Sequence, residues 1–414
     1  MTSPDTADLS ATASAPVTSA APAAGTAPSS WTRRSPLLAE HEALGANLTE
    51  FGGWSMPLRY GSDIAEHRSV RTAAGVFDIS HMGQILVTGP QAAAALDHAL
   101  VGWISLVDQG RARYTMITQP DGGVIDDLVV YRTGEQEYVV VANAGNADVV
   151  LHELVERASG FDATVSAAAD QALIAVQGPL AVEILAPLAD SRGSLTSSDD
   201  AAAIRALRYY AITDVTLADV PVRVARTGYT GEDGFEIFVA ARDAVTVWRA
   251  VLAVGGGRGL VPAGLSARDS LRLEAGMPLY GHEIDRTTTP YEAGLGRVVR
   301  LDKVDRAGAA VEFVGRTALA ARRESEPARV LVGLRAAGRR ALRAGDAVVR
   351  SPESLDAPLG VVTSGAPSPT LGHPVAMAYV SPELSAEGTE VTVVVRGRAE
   401  SAVVVPLPFY RRPR

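Results

Sequence analysis

The 414-residue chain contains no cysteine, which excludes disulfides, zinc–thiolate sites, iron–sulfur clusters and thiol nucleophiles. Lysine occurs once, at Lys303, there is no run of basic residues, and the formal net charge is −9. A nucleic-acid partner or an anionic membrane surface is therefore not indicated. No apolar run approaches the roughly 20 residues that a membrane-spanning helix needs. The hydrophobic fraction of 47% is ordinary for a globular protein with a sizeable core.

Residues 1–34 have little to bury, because alanine, serine, threonine and proline dominate them. This composition predicts a disordered tail, with order beginning near Ser35. The segment lacks the basic and apolar regions of a secretory signal, and its first arginine is Arg33, which is unlike a transit peptide. The sequence thus predicts a cytoplasmic protein with a flexible N-terminal tail.

The region 35–325 mixes helix and strand patterns. The stretches "QILVTGPQAAAALDHAL" and "ALIAVQGPLAVEILAPL" both read as strand, Gly-Pro break and helix, and between them "RYTMIT", "VIDDLVVYR" and "YVVVAN" form a meander. Helices are predicted after the Ser-Pro of "SPLLAEHEALG", at 62–74 and at 264–276. These patterns predict an α+β core with helices over one face of a sheet.

After about Ser325 the pattern changes to six short strands separated by Gly, Pro and Ser turns. This spacing is typical of a small β-barrel or sandwich, so residues 326–414 are predicted to form a separate domain.

Two adjacent carboxylates stand inside the predicted strand "VIDDLVVYR". Side chains alternate across a strand, so Asp127 shares a face with Ile125, Val129 and Tyr131, while Asp126 lies on the other face. A buried carboxylate is costly unless it is paired or hydrogen-bonded. Either both aspartates accept structural hydrogen bonds, or the pair marks a functional site. Asp127 is the better functional candidate, because a polar pocket near Tyr131 would lie on its face.

Glu236 follows a tight turn and shares a strand face with Phe238, which suits recognition of a flat heterocycle bearing N–H donors. A solvated edge position is the alternative. Arg268 and Arg272 form an i, i+4 pair on one predicted helix and suit an anionic group, unless nearby acids such as Asp269 pair with them.

Common catalytic motifs are missing. "VGGGRGL" has neither dinucleotide-binding nor P-loop spacing, no G-x-S-x-G occurs, and the seven histidines are scattered without H-E-x-x-H spacing. His81, in "DISHMG", is interpreted as a core histidine. Hydrolase, nucleotide-binding and metalloenzyme functions are not supported.

Seven stretches nevertheless resemble, in order, the aminomethyltransferase (T-protein) family of the glycine cleavage system. The resemblance extends from Ser35 to Phe409, and its motifs are "FGGWSMPLRY", "GVFDISHMG", "GGVIDDLVVY", "RTGYTGEDGFEI", "GLSARDSLRLEAGMPLYGHEID", "TTPYEAGLG" and "GVVTSGAPSPTLGHPVAMAYV". It implies two intertwined α/β subdomains around a central folate cavity and a C-terminal β-barrel domain.

The same resemblance implies a reaction. The aminomethyl group on the lipoyl arm of the H-protein would give its carbon to tetrahydrofolate, yielding 5,10-methylenetetrahydrofolate and ammonia without a metal. Asp127 would be the catalytic residue and Asp126 structural. Folate would contact the side chains of six residues, Glu236, Arg268, Tyr114, Tyr131, Asn143 and Tyr229. Arg297 departs from the family, which commonly has a tryptophan there as part of the folate-site wall.

Two relatives of the same fold remain as alternatives. One is a folate-dependent demethylase of a small methylated amine or sulfonium compound, which often alters the "GGVIDDL" or "RTGYTGEDGFEI" pattern or carries a flavin domain. The other is a folate-binding protein that assists Fe–S assembly, which tends to carry a reactive cysteine motif absent here.

Overall fold

The computed structural model describes residues 33–189, 197–305 and 307–413. The strands before the C-terminal region are β1 (Arg33–Arg34), β2 (Asn47–Phe51), β3 (Trp54–Arg59), β4 (Ala74–Asp78), β5 (Gly83–Thr88), β6 (Arg111–Thr118), β7 (Val124–Arg132), β8 (Glu137–Ala142), β9 (Thr164–Ala167), β10 (Gln171–Gln177), β11 (Ile212–Leu217), β12 (Val220–Ala225), β13 (Gly234–Ala240) and β14 (Leu260–Pro262). The helices are α1 (Leu38–Ala43), α2 (Asp63–Thr72), α3 (Ala92–Ala99), α4 (Ala147–Ala158), α5 (Ala181–Ala189), α6 (Ser197–Ala206), α7 (Ala244–Gly256), α8 (Leu265–Glu274) and α9 (Arg316–Glu324).

Two sheets form the larger part of the molecule. One has six strands in the order β11-β12-β13-β10-β4-β14, and the other has five in the order β6-β7-β8-β5-β9. Strand β4 belongs to the six-stranded sheet, yet the chain builds the whole five-stranded sheet before it returns to pair β10 with β4. This crossing confirms the predicted α+β class with two intertwined subdomains.

Each sheet is covered by helices on one face and packs toward the other sheet with its second face. Trp248 on α7 and Leu185 on α5 are buried against the six-stranded sheet, and Leu96 and Leu154 on α3 and α4 against the five-stranded sheet. Between the sheets lies a third apolar cluster, which joins side chains from both, including Tyr131 and Phe238. A site between the sheets is therefore walled by both subdomains.

The C-terminal region closes into a six-stranded barrel in the order β15-β18-β17-β16-β19-β20. Its strands are β15 (Val330–Ala336), β16 (Ala347–Val349), β17 (Gly360–Pro367), β18 (Pro374–Val380), β19 (Glu390–Val395) and β20 (Arg398–Val405). The closed strand order confirms the predicted β-barrel. Valine, leucine and alanine side chains fill its core.

The N-terminal details differ from the sequence prediction. The predicted tail lies outside the described residues except for Arg33 and Arg34, which pair in parallel with β3. The first helix begins at Leu38, with Leu37 rather than Ser35 at its N-cap position. The Ser35 hydroxyl accepts a hydrogen bond from Leu37 N at 3.1 Å and donates to the buried carboxylate of Asp78. The helices predicted at 62–74 and 264–276 are α2 and α8, each slightly shorter than predicted.

The single lysine is a buried structural residue. Lys303 is 1% exposed, and its Nζ donates to the carbonyl oxygens of Asp97, Leu100 and Gly102 at 2.6, 2.5 and 3.0 Å. Burial lowers the pKa of this ammonium to about 7. The contacts fasten the segment after the 3₁₀ helix Gly296–Val298 to the C-terminal end of α3. None of the helices in the described ranges combines the length and apolar character needed to cross a membrane.

Candidate functional site

Asp127 lies on β7 and faces the space between the two sheets. Its direct partner on β6 is Met116, so Tyr114, two residues along β6, presents its side chain on the same face. The Tyr114 hydroxyl donates to Asp127 Oδ2 at 2.9 Å, and Asn143 Nδ2 donates to Asp127 Oδ1 at 2.8 Å. Burial raises the pKa of the Asp127 carboxyl, whereas these two hydrogen bonds oppose that rise.

Asp126 is held by amides. It accepts hydrogen bonds from Asn143 N at 2.9 Å, from Asn143 Nδ2 at 2.8 Å and from Asn146 Nδ2 at 2.8 Å. Burial, followed by the charge of Asp127, raises the pKa of Asp126 to about 7. Asn143 follows β8 directly, and its side-chain amide lies within hydrogen-bond distance of both carboxylates. Asp126 therefore orders the Asn143 segment and does not face a free volume.

A second carboxylate, Glu236, connects the sheets. The hydroxyl groups of Tyr131 and Thr227 donate to Glu236 Oε2 at 3.0 and 2.6 Å. Tyr131 lies four residues after Asp127 on β7, so the two side chains share one face with their backbones roughly 13 Å apart. The Asp127 and Glu236 carboxylates thus lie at opposite ends of one polar strip between the sheets.

Glu236 is not at a solvated edge, because β13 is an interior strand between β12 and β10. Its direct neighbours on those strands are Ala225 and Ala175, both buried and small. Within the described residues, Glu236 Oε1 has no hydrogen-bond donor, since both hydroxyl groups bind Oε2. The free oxygen is suited to accept an N–H group from a ligand.

The two arginines of α8 differ completely in their surroundings. Arg272 is 1% exposed and binds Asp269, Glu283 and the Ser364 hydroxyl, so it is structural. The side chain of Arg268 makes neither an ion pair nor a hydrogen bond in the described part of the chain, and its guanidinium lies 4.8 Å above the Tyr229 ring. Burial lowers the pKa of Arg268, and its charge contributes to shifts at neighbouring groups. Arg268 therefore presents five unused N–H donors.

The loop "RTGYTGEDG" fixes Tyr229 and supports Glu236. Gln177 fills the space beside Gly228 and Gly234, and a Cβ on Gly228 would lie 1.9 Å from Gln177 Oε1. The Gln177 amide donates to Thr227 O at 3.0 Å, and the Tyr229 hydroxyl donates to Pro278 O. The glycines of this motif are thus required by close packing of the loop on β10.

Two side chains beside the polar strip were not identified from the sequence. Thr227 binds Glu236 directly, and its position two residues before Tyr229 in the same motif was the available signal. Tyr210, with a φ of 58°, lies within electrostatic reach of both carboxylates. Burial raises the pKa of its hydroxyl, and Tyr209, Glu236 and Asp127 raise it further. No local sequence pattern indicates that the Tyr210 loop returns to β6.

His81 is in the core, at 2% exposure, with its ring edge-on to Phe51 at 5.4 Å. Its Nδ1 is buried without a hydrogen-bond partner among the described residues. Burial and the nearby charge of Arg268 lower the pKa of His81 to about 3. The imidazole is therefore neutral beside the free guanidinium.

This shift predicts a pH-dependent stability. Below its ordinary pKa of 6.5, His81 binds a proton in the unfolded chain but not in the folded chain until about pH 3. Its contribution is complete above pH 6.5 and is lost as the pH falls, at up to about 1.4 kcal/mol per pH unit. We expect chemical denaturation between pH 6.5 and 4 to show a steeper loss for the wild type than for His81→Gln. Equal slopes would contradict this.

All seven predicted site residues belong to the polar strip between the sheets or lie beside it: Asp127, Tyr114, Tyr131, Asn143, Glu236, Tyr229 and Arg268. Arg297 is exposed on the 3₁₀ helix Gly296–Val298 and has no hydrogen bond to any of them. Among the described residues, no group of three or more histidine or acidic side chains is arranged to hold a metal ion.

Two family models match the chain. The model described as the GCVT N-terminal domain matches residues 37–303, and the one described as the glycine cleavage T-protein C-terminal barrel domain matches residues 329–411. Together they include both intertwined subdomains and the barrel.

Individual proteins agree with this match. The aminomethyltransferases of Streptomyces coelicolor and Saccharopolyspora erythraea are 57% and 56% identical, each over 92% of this chain and 98% of their own length. The crystal structure of the glycine cleavage system aminomethyltransferase T from Bartonella henselae superposes with a TM-score of 0.80 at 37% identity. The superposition covers 92% of this chain and 98% of the Bartonella henselae chain.

Proposed function

The chain belongs to the T-protein family, the aminomethyltransferases of the glycine cleavage system, and on this premise we propose that the cavity between its sheets binds tetrahydrofolate and that Asp127 carries the transfer. One observation supports the proposal most. The buried, hydrogen-bonded carboxylate of Asp127 lies at one end of the polar strip, and the Glu236 carboxylate, at the other end, and the Arg268 guanidinium both have hydrogen-bonding capacity that no described residue uses.

The recognition groups fit a reduced pterin. Glu236 Oε1 is a free acceptor for an amino or ring N–H group, and Arg268 is a free donor for a carbonyl oxygen or anion. Tyr229, beneath Arg268, and Tyr131 add flat aromatic surface. Within the described residues, Glu236 Oε1 and the Arg268 guanidinium have no hydrogen-bond partner, so a ligand of this chemistry would satisfy them.

The reaction exchanges two bonds for two others. The carbon of the S–CH₂–NH₃⁺ group forms bonds to N5 and N10 of tetrahydrofolate, and its bonds to sulfur and to the amine nitrogen break. The N5–H and N10–H bonds break as well: one of their protons goes to the sulfur, which leaves as the dihydrolipoyl thiol, and the other goes to the ammonia that leaves with the amine nitrogen, giving ammonium. Positive charge is present on the transferred carbon and on N5 during this exchange.

Asp127 is placed to stabilise that charge. Tyr114 and Asn143 hold its carboxylate in one orientation, so no reorganisation is needed when charge develops. The buried surroundings strengthen the electrostatic interaction. Asp127 also positions N5 toward the carbon, and such positioning reduces the entropic part of the barrier.

The partners follow from the same proposal. The aminomethyl group arrives on the lipoyl arm of the H-protein, and the reaction takes place in the cytoplasm. No nucleic acid or membrane takes part, which agrees with the net charge of −9 and the lack of a basic run.

Ammonia release from an aminomethyl-loaded lipoyl carrier tests this function. We expect release to be fast only when tetrahydrofolate is added, with the unloaded carrier as control. Tight folate binding without such release, together with demethylation of small methylated amines or sulfonium compounds, would contradict the proposal.

A further inference from the structure

The segment after β20 leaves the barrel and returns to the two-sheet part of the molecule. In this segment, the C-terminal strap (residues 406–413), Tyr410 N donates to the carbonyl oxygen of Glu274, the last residue of α8, at 2.8 Å. Apolar side chains of the strap pack in one cluster with Leu273 of α8 and with side chains of the barrel. The strap therefore packs on the helix that carries Arg268.

The ring of Tyr410 covers a buried arginine of α2. The guanidinium carbon of Arg71 lies 4.0 Å from the centre of this ring, and the Arg71 side chain is 6% exposed. Burial, followed by the Glu232 carboxylate, raises the pKa of the Tyr410 hydroxyl to about 12, so this hydroxyl remains a donor at neutral pH. A guanidinium over an aromatic face is attracted to it, and more strongly where water is excluded. Tyr410 therefore holds the Arg71 guanidinium in one place.

Arg71 connects the loop between β12 and β13 (residues 226–233) to α8. Its Nη1 donates to Thr230 O at 2.7 Å and to Glu232 Oε1 at 2.9 Å, both in the β12–β13 loop. Its Nη2 and Nε donate to Glu274 Oε2, at the end of α8, at 2.9 and 3.1 Å. Because a guanidinium is planar and its donors point in fixed directions, one side chain sets the separation of the loop and the helix.

That separation sets the geometry of the recognition groups. The β12–β13 loop carries Tyr229 and leads directly into β13 with Glu236, whereas α8 carries Arg268. Arg268 lies above the Tyr229 ring and within electrostatic reach of Glu236. A ligand that binds the Glu236 and Arg268 side chains together binds more tightly when both are already in place, because ordering them on binding would cost affinity.

We propose that Tyr410 is a positioning residue for the folate site and acts through Arg71. Its ring orders the Arg71 guanidinium, which in turn holds the β12–β13 loop and α8 at the distance that folate requires. This inference rests on the proposed function and adds a residue outside the site. The contacts of Tyr410 are with α2, α8 and the β12–β13 loop, whereas Asp127 lies on the five-stranded sheet. Tyr410 should therefore affect folate binding and leave the transfer step unchanged.

The test combines calorimetric titration of the full chain with tetrahydrofolate and steady-state ammonia release from the aminomethyl-loaded carrier. We expect Tyr410→Ala and Tyr410→Leu to weaken folate binding about tenfold and to raise the KM for folate equally, with kcat within about twofold of the wild type. Tyr410→Phe should stay within about threefold of the wild-type affinity, because its ring still covers Arg71. Arg411→Ala is the matched control, since this neighbour on the strap is exposed.

Unchanged folate affinity in Tyr410→Ala and Tyr410→Leu would overturn the inference, and so would an equal loss in Tyr410→Phe or in the Arg411→Ala control. A loss in Tyr410→Ala that Tyr410→Leu does not share would assign the effect to packing and would overturn it as well. A lower kcat with an unchanged KM for folate, the pattern of a partly unfolded enzyme, would have the same consequence.

The wild type separates this inference from the proposed function. If the wild type neither binds folate nor releases ammonia in response to it, the proposed function itself fails. If the wild type does both and Tyr410→Ala matches it in affinity and KM, only the positioning role of Tyr410 is contradicted.

Discussion

Asp127→Asn should lose about 10³-fold or more in folate-dependent ammonia release while it still binds folate and folds normally. The amide has the same shape, and its oxygen can still accept from Asn143, while the Tyr114 hydroxyl can rotate to accept from the new amide nitrogen. What disappears is the negative charge that faces the transferred carbon. Single-turnover ammonia release and folate titration together measure the two effects.

Tyr114→Phe provides the graded control for this prediction. It removes one of the two hydrogen bonds that hold Asp127 and leaves the carboxylate in place. We expect a loss of roughly tenfold in ammonia release, well short of that for Asp127→Asn. Near-normal turnover of Asp127→Asn would remove Asp127 from the mechanism. Equal losses for the two variants would mean that the cavity's shape, rather than the Asp127 charge, had been damaged.

Arg272→Gln is expected to reduce the free energy of unfolding by about 3–5 kcal/mol, because it leaves the buried carboxylate of Glu283 without its cation. Arg268→Gln, one helical turn earlier, should change stability by less than about 1 kcal/mol, since Arg268 has no ion pair within the described residues. It should instead weaken folate binding by roughly 10- to 100-fold. Denaturant titration and folate titration of both variants measure these effects.

Each variant serves as the control for the other, because each replaces one arginine on the same face of α8. The opposite pattern, with Arg268→Gln unfolding the protein and Arg272→Gln weakening folate binding alone, would contradict both assignments. A small loss of stability in Arg272→Gln would show that Glu283 takes up a proton or finds other donors.

Structural features that depend on residues close together in the sequence could be predicted from the sequence. The meander β6–β7–β8, both strand–helix units and all six barrel strands follow from turn residues and apolar alternation, and the structure confirms them. Alternation along β7 also placed Asp127 and Tyr131 on one face. The roles of Asp127 and Glu236 remain predictions.

Contacts between distant segments could not be predicted from the residues alone. The pairing of β4 with β10 encloses an entire second sheet, and only the family resemblance suggested this crossing. Sequence spacing treats Arg268 and Arg272 alike, whereas the partners that distinguish them come from the barrel and from the segment after α8. Tyr210 reaches the cavity through a loop whose left-handed residue gives no sequence signal.

Lys303 makes this protein a selective target for amine chemistry. Because lysine occurs once and its ammonium is enclosed by three carbonyl oxygens, the folded surface offers no ε-amine to acylating reagents, amine cross-linkers or lysine-specific proteases. Reaction there requires the Lys303 segment to separate from the end of α3. Labelling mapped to Lys303, and so distinguished from reaction of the N-terminal α-amine, would therefore report local opening of that joint with no background from other lysines.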